Sequence, residues 1–245
     1  MKRFYKSAGV TETPDGFGIA LDGKPVRTPA KLPLTIPTRA LAEAIAEEWL
    51  AQGETVDPKR LPLTRLASIA LDLVAPRRAD VIAEVTKYAG TDLVCYRAEQ
   101  PAELAARQHT AWQPLIDWAT LRFDAPLTVT ASILPVAQSP ASLKALEAAV
   151  AAYDSHRLAA LHLATAACGS LVVALALIEG RIDAEAAFAS AELDESYEIE
   201  RWGEDAEQAK RRAGLKEDIA LVARFVSLLA EIALQNHPPL APCAQ

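Results

Sequence analysis

The sequence has few of the residues from which nucleotide, metal and disulfide sites are built. Its 245 residues include ten glycines, four histidines and three cysteines. It contains no GxxxxGK(S/T) phosphate loop, no GxGxxG after a predicted strand, no GxSxG nucleophile elbow and no HExxH zinc motif. These absences argue against nucleotide binding and against the enzyme classes that depend on such motifs. We therefore expect no cofactor and no metal.

Paired cysteines and excess basic charge are also missing. Cys95, Cys168 and Cys243 are widely separated, form no CxxC motif and have no histidine at metal-ligand spacing. This pattern predicts free thiols in a reducing compartment. The chain has 25 basic and 32 acidic residues, a formal net charge of −7, so no nucleic-acid partner is expected.

The N-terminus MKRFYKSAGV lacks the apolar core of a secretory signal and the long amphipathic pattern of a transit peptide. One apolar run, residues 158–178, has no Asp, Glu, Lys or Arg and is long enough to cross a bilayer. It is rich in alanine and also contains His162, Thr165, Gly169 and Ser170. Two interpretations remain open: a membrane-associated factor, or a buried central helix of a soluble helical domain.

The first forty residues have the pattern of β-structure. Turn signals occur at residues 14–16, Pro-Asp-Gly, and at Asp22-Gly23, which is a strong hairpin signal. Thr38 is suited to cap a helix over residues 39–52, in which Leu41, Ile45 and Trp49 share one face.

The remainder of the chain is mainly helical in pattern. Its later helices are predicted over residues 140–152, 154–179, 184–202 and 205–235, followed by a proline-rich tail. The predicted fold class is α+β. A small β-rich domain with a packed helix, residues 1–75, is followed by a larger all-α domain, residues 76–245.

Residues 192–207, the acidic segment, contain eight acidic residues and one basic residue, Arg201. Asp194–Glu198 and Glu200–Glu204 are like-charge pairs at i,i+4, which destabilise a helix. Glu207–Arg211 is the one favourable pair in this pattern. A single helix would also align Ile199, Trp202, Ala206 and Ala209 in an apolar stripe, next to a face bearing Glu198 and Asp205.

Three interpretations of the acidic segment follow. In the first, the segment is a solvated helix with Trp202 in the core and its charges paired with Arg77, Arg78 or Arg107. Alternatively, it is a protein-binding surface, since an aromatic residue bordered by charges is typical of interface hot spots. A carboxylate site for a divalent metal is the third, although the DxDxDG loop pattern is absent.

A separate alternative is a small cytoplasmic enzyme. Asp154 and His156 could form an acid–base pair if the acidic segment lay beside them in one pocket. Asp154 is equally suited to cap the helix that follows it.

The chain resembles, in order and over nearly its whole length, the assembly chaperones of the F-type ATP synthase that bind the α subunit of its catalytic sector. The resemblance is carried by RFYK, DGFGIALDGKPVRTPAK, LPLTIPTRALAEAIAEEWLAQ and LPLTRLASIALD in the N-terminal half. It continues with TDLVCYRAEQPAEL and QPLIDW in the middle and YEIERWGEDAEQAKRR near the C-terminus.

The resemblance implies a small α/β N-terminal domain, a helical C-terminal domain, no enzymatic activity and no small-molecule substrate. It implies that the protein binds the unassembled α subunit, prevents its aggregation and hands it on to the β subunit. The functionally sensitive motif of the family corresponds here to Trp202, Gly203, Glu204, Asp205 and Glu207. With Glu198 on the same face as Trp202, these are the expected client-binding residues. A start close to RFYK indicates a bacterial, cytoplasmic member, without stable membrane insertion.

Overall fold

The computed structural model describes residues 2–132 and 134–230. The contacts divide the chain into two compact units. The first ends at Asp72 and also includes residues 224–230, and the second is Leu73–Ala223. The sequence predicts two domains, residues 1–75 and 76–245, with one boundary between them. In the structure, the contacts also assign residues 224–230, near the end of the chain, to the first unit.

The first unit contains a four-stranded antiparallel sheet. The strands are β1 Ala8–Thr13, β2 Gly16–Leu21, β3 Lys24–Pro25 and β4 Thr35–Ile36. β2 is central, since β1, β3 and β4 all pair with it. Asp22 and Gly23 both have positive φ and connect β2 to β3, which confirms the hairpin predicted from this dipeptide. A Cβ at Gly16 would lie 2.5 Å from the carbonyl oxygen of Ile36, so β4 can approach only glycine there.

Two helices accompany the sheet, α1 Arg39–Leu50 and α2 Pro62–Ile69. Thr38 caps α1 as predicted, because its Oγ1 accepts a hydrogen bond from the backbone N–H of Leu41. Leu41 and Ile45 are fully buried in the core of this unit. The carboxylate of Glu48 accepts hydrogen bonds from the N–H groups of Leu63 (2.7 Å) and Thr64 (2.9 Å). One helix therefore caps the N-terminus of the next.

The second unit is helical. Among the described residues of this unit, seven α-helices precede the last one: α3 Arg78–Thr86, α4 Ala102–Phe123, α5 Pro140–Ala151, α6 Ser155–Cys168, α7 Leu171–Ile178, α8 Ala184–Ala191 and α9 Leu193–Trp202. The last, α10 Ala206–Ala230, continues from this unit into the first. Asp154 and Asp183 cap α6 and α8 through hydrogen bonds to backbone N–H groups. The α+β fold class is confirmed.

The long apolar run is two helices, not the single helix predicted over residues 154–179. Gly169 has φ +62°, which ends α6, and Ser170 caps α7. The carboxylate of Asp92, fully buried, accepts hydrogen bonds from Ser170 Oγ (2.5 Å) and the N–H of Val172 (3.0 Å). All eight residues of α7 are buried. Among the described residues, no helix has the length and hydropathy that a membrane span requires.

The predicted helix over residues 184–202 is also divided, because Glu192 leaves the helical conformation between α8 and α9. Cys95 and Cys168 are buried free thiols, and burial raises the pKa of each to about 12. Cys243, the end of the helix predicted to residue 235 and the predicted loose tail lie outside the described residues.

Candidate protein-binding site

The acidic segment runs through α9, a short break and the start of α10. The break is at Gly203, whose φ of 85° and ψ of 168° belong to a region that side chains other than glycine strongly disfavour. The single apolar stripe expected along one helix is therefore wrong. Ile199 is half-buried on α9, Trp202 is 76% exposed at its end, and Ala206 is exposed at the start of α10.

Glu192 anchors the acidic segment to α10. Its carboxylate accepts hydrogen bonds from Arg211 Nη2 (2.9 Å) and Arg212 Nη1 (3.2 Å). Arg211 also approaches Glu195 at 3.4 Å, and Arg212 approaches Glu204 at 3.2 Å. The hydrogen bonds that Arg211 donates to Glu192 raise the pKa of Arg211 above its ordinary value. The predicted pair between Glu207 and Arg211 does not form, because Arg211 turns toward α9.

A second group of charges holds α9 against the N-terminal half of α4. Arg107 on α4 bonds Glu200 at 2.8 Å and Glu103 at 2.9 Å, and Arg201 bonds Glu103 at 2.7 Å. The guanidinium of Arg201 lies 3.5 Å from the ring centroid of Tyr197, which is buried. Alternating charges of opposite sign thus offset the repulsion that the sequence predicts within α9.

The sequence suggested Arg77, Arg78 and Arg107 as ion-pair partners of the acidic segment, and of these three only Arg107 forms such a pair. Arg107 bonds the acidic segment, but Arg77, directly before α3, pairs with Asp80 in the first turn of that helix. Arg78 donates hydrogen bonds to the backbone carbonyls of residues 151 and 153. Sequence reasoning missed Arg212 as a partner. Its spacing of eight residues from Glu204 gave no signal, since Glu204 lies in the non-helical stretch before α10 and Arg212 lies within α10.

Asp194, in the first turn of α9, was also not among the predicted site residues. Its Oδ1 accepts a hydrogen bond of 2.7 Å from Nε2 of Gln108. Gln108 is buried, and its Oε1 in turn accepts from the N–H of Ala98 at 2.7 Å. Asp194 is therefore positioned by a fixed amide and lies partly accessible at the start of the helix.

Three of the predicted site carboxylates keep their charge uncompensated. Glu198, Asp205 and Glu207 are exposed and make no ion pair with any residue in the described part of the chain. Asp205 has a structural role as well, because its Oδ1 accepts from the N–H of Gln208 (2.8 Å) at the start of α10. Glu204 differs from these three, since it pairs with Arg212.

Fewer carboxylates of the acidic segment are therefore exposed and unpaired than the sequence suggests. Trp202 and Gly203 lie at the break, and the uncompensated carboxylates of Glu198, Asp205 and Glu207 lie on α9, the break and α10. The first interpretation of this segment is correct in part, since four of its eight carboxylates form ion pairs within the fold. Its other part is wrong, because Trp202 is not in the core.

The catalytic alternative gains no support from the geometry. Asp154 caps α6 through the N–H groups of His156 (2.8 Å) and Arg157 (2.9 Å). Asp154 also lines a surface cavity of about 350 Å³, whose lining includes neither His156 nor any residue of the acidic segment. Within residues 2–132 and 134–230, no group of three His, Cys, Asp or Glu side chains is placed to hold a metal ion.

Comparison with known proteins identifies the family. The pattern of the family described as ATP12 chaperone protein matches residues 2–120. The crystal structure of Atp12 from Paracoccus denitrificans is 44% identical, with a TM-score of 0.90, and the match covers 93% of this chain and 97% of that one. The chain belongs to the ATP12 chaperone family.

Two further relatives agree with this assignment. Protein atp12, mitochondrial, from Schizosaccharomyces pombe is 25% identical over 221 residues, which is 84% of this chain and 76% of that protein. The Atu1473 protein from Agrobacterium tumefaciens is 40% identical, with a TM-score of 0.88 over 93% of this chain and 86% of that one. The resemblance to the assembly chaperones of the F-type ATP synthase is therefore confirmed, and the family pattern that matches ends before the acidic segment begins.

Proposed function

We propose that this protein binds the unassembled α subunit of the F-type ATP synthase, prevents its aggregation and hands it on to the β subunit. The observation that carries the proposal is the solvent-exposed Trp202 between uncompensated carboxylates, in a chain of the ATP12 chaperone family. The client-binding residues are Glu198, Trp202, Gly203, Asp205 and Glu207, with Glu204 in a supporting position.

Trp202 supplies the apolar part of the binding energy. A tryptophan side chain offers roughly 200 Å² for burial, and 76% of this residue is exposed. At about 25 cal/mol per Å², burying the exposed part against a client would stabilise the complex by roughly 3–4 kcal/mol. The positive φ of Gly203 ends α9 directly after Trp202, so the ring stands at a helix end with no following turn beside it.

The carboxylates of Glu198, Asp205 and Glu207 supply charge complementarity to a basic patch on the client. Charge of one sign beside an aromatic anchor increases the rate of encounter and disfavours partners of the same sign. This attraction weakens with salt, because the Debye length falls from about 8 Å at physiological ionic strength to about 3 Å at 1 M.

The experiment is capture of purified α subunit by this protein, together with suppression of α-subunit aggregation at equimolar ratio and without nucleotide. Glu198→Lys and Glu207→Lys are the cleanest variants, because neither carboxylate is paired within the described chain. Reversals at Glu204 and Asp205 are less clean, since Glu204 pairs with Arg212 and Asp205 caps α10.

Glu147→Lys is the matched control, an exposed glutamate on α5 with the same change in charge. We expect both variants in the acidic segment to weaken capture at low salt, with unchanged thermal melts, while the control captures normally. If the unmodified protein neither captures the α subunit nor delays its aggregation, the proposal is refuted.

The hand-over step is tested by adding β subunit to the isolated complex of chaperone and α subunit. We expect the β subunit to displace the chaperone, because the proposed role requires both to cover overlapping surface on the α subunit. A stable complex of all three proteins would show that the surfaces are separate and would contradict this step. Localisation in a bacterial cytoplasm is part of the same proposal, and fractionation of source cells tests it.

A further inference from the structure

Arg212 on α10 joins three segments around the break between α9 and α10, residues 203–205. Each nitrogen of its guanidinium has a different partner. Nε lies 3.2 Å from the carboxylate of Glu204, inside the break. Nη1 donates a hydrogen bond of 3.2 Å to Glu192, directly before α9, and Nη2 donates one of 3.1 Å to Oγ of Ser196 on α9. One side chain thus contacts the start of α9, its first half and the non-helical stretch that follows it.

The guanidinium of Arg212 is enclosed by these contacts. Its side chain is 16% exposed, and its guanidinium carbon lies 5.3 Å from the ring centroid of Phe188 on α8. Arg211, the preceding residue, differs in both exposure and partners. It is 48% exposed, and its ion pairs are with Glu192 and Glu195, outside the break. The two arginines therefore carry the same charge at adjacent positions, and of the two only Arg212 pairs with a residue of the break.

The break divides the proposed client-binding surface into two parts. Glu198 and Trp202 lie on α9, whereas Asp205 and Glu207 lie in the break and on α10. Gly203, the first residue of the break, lacks a side chain and has a positive φ of 85°. Because glycine can populate many backbone conformations, the positions of the two parts relative to each other depend on contacts that span the break.

Two side chains of α10 provide such contacts. Gln208 and Asp205 form a capping box, in which each side chain bonds the backbone N–H of the other, and Gln208 also donates to Glu195 on α9. This arrangement orients Asp205 against α10. Glu204 is oriented instead by Arg212, whose other nitrogens are bound to α9 and to the residue before it. Loss of Arg212 should therefore loosen the break without releasing it completely.

We propose that Arg212 is a positioning residue for client binding. By holding its three partners at once, it sets the direction in which α10 leaves α9. Trp202 and the carboxylates on both sides of the break are then presented as one preformed surface. A surface that is already ordered loses less conformational entropy when a partner binds. Arg212 acts through its partners and does not itself contact the client, and this inference rests on the proposed function.

The test is the dissociation constant of the complex with purified α subunit, measured for the unmodified chain, Arg212→Lys and Arg211→Lys. Each variant keeps the positive charge. Lysine, however, offers one nitrogen, whereas Arg212 uses three that are spread across a plane. We expect Arg212→Lys to raise the dissociation constant about fivefold, because the break is no longer fixed from both sides, and Arg211→Lys to stay within about twofold. A thermal melt checks that each variant is folded at the assay temperature.

Fluorine NMR of protein labelled with 5-fluorotryptophan measures the positioning itself, without a client. The chain has four tryptophans, and the signal of Trp202 is identified by its loss in Trp202→Phe. We expect Arg212→Lys to shift or broaden this signal and to leave those of the other tryptophans unchanged. Glu204→Gln, which removes one partner of Arg212 and leaves Glu192 paired, should move the same signal. Arg211→Lys should leave every tryptophan signal in place.

A double-mutant cycle separates positioning from an independent role of Glu204. If Glu204 acts through Arg212, Glu204→Gln weakens capture of the α subunit in the unmodified chain but has little further effect in Arg212→Lys. Additive losses would show that the two residues act independently and would overturn the inference.

The remaining outcomes distinguish this inference from the proposed function. Equal loss of binding in Arg211→Lys and Arg212→Lys, or an unmoved Trp202 signal in Arg212→Lys, would overturn the inference. If the α subunit is captured but Arg212→Lys binds it like the unmodified chain, the inference fails and the proposed function stands. If the unmodified chain captures no α subunit, both are overturned.

Discussion

Replacing Glu192 with glutamine tests whether arginines on α10 hold the acidic segment in place. The side chain of Glu192 is only 8% exposed and accepts three hydrogen bonds from Arg211 and Arg212, at distances of 2.9, 3.1 and 3.2 Å. Glutamine keeps the shape of the side chain but removes its charge. Its amide NH₂ group also places a donor against guanidinium donors, so at least one of these hydrogen bonds is lost.

The expected loss of stability is about 2–4 kcal/mol. Hydrogen bonds to charged groups contribute about 1.5–3 kcal/mol each. The share of Arg211 is reduced by solvent screening, because its side chain is 48% exposed, whereas that of Arg212 is 16% exposed. For a chain of this length, a loss of that size lowers the melting temperature by on the order of 10 °C.

The assay is a thermal melt monitored by circular dichroism, with Glu207→Gln as the matched control. Glu207 loses the same charge but is exposed, without an ion pair to the described residues, so its variant should change stability by less than about 0.5 kcal/mol. If Glu192→Gln melts at the temperature of the unmodified protein, the arginine cluster does not hold the segment and the assignment of its carboxylates to paired and uncompensated classes fails.

Three further predictions concern stability. Burial raises the pKa of Asp92 to about 6, so between about pH 4 and pH 6 the folded chain retains a proton that the unfolded chain releases. The contribution of Asp92 to the free energy of unfolding therefore falls as pH rises through this window, by up to about 3 kcal/mol. Urea unfolding at pH 4.5 and pH 7 should show this decrease for the unmodified protein and not for Asp92→Asn. An unchanged pH dependence in that variant would contradict the assignment. Gly203→Ala should cost about 1–3 kcal/mol in a thermal melt because its φ is +85°, and Gly53→Ala, at a position without positive φ, serves as its control. Glu48→Gln should speed hydrogen exchange in the first turn of α2, since that turn loses the carboxylate that caps it, and unaltered exchange there would argue against this role.

Two helical patterns predicted from the sequence are interrupted in the structure, one beside a residue that is distant along the chain and one at a local glycine. The run at residues 158–178 has the hydropathy of one long helix, but it breaks at Gly169, and the buried carboxylate of Asp92 accepts hydrogen bonds from Ser170 and Val172 at the start of the next helix. Nothing in the local pattern reveals a carboxylate that lies nearly eighty residues earlier. The stripe through Trp202 is wrong for a local reason instead, since its periodicity crosses Gly203, where the helix ends.

The sequence by itself determined the features that depend on neighbouring residues. The hairpin at Asp22-Gly23, the caps at Thr38 and Asp154 and the net acidity of residues 192–207 follow from backbone preferences, short-range hydrogen bonds and composition. Its resemblance to a known family over nearly the whole chain also determined the fold class. None of these inferences requires a distance between remote side chains.

Only the tertiary structure decided which carboxylates remain available to a partner. Glu200 is neutralised by Arg107 and Glu192 by Arg211 and Arg212, whereas Glu198 and Glu207 are left without such partners in the described chain. The physical reason is that an ion pair depends on a separation of a few ångströms in space, and its strength on the exposure of both groups. Packing sets both quantities, because it brings arginines of α4 and α10 against the acidic segment.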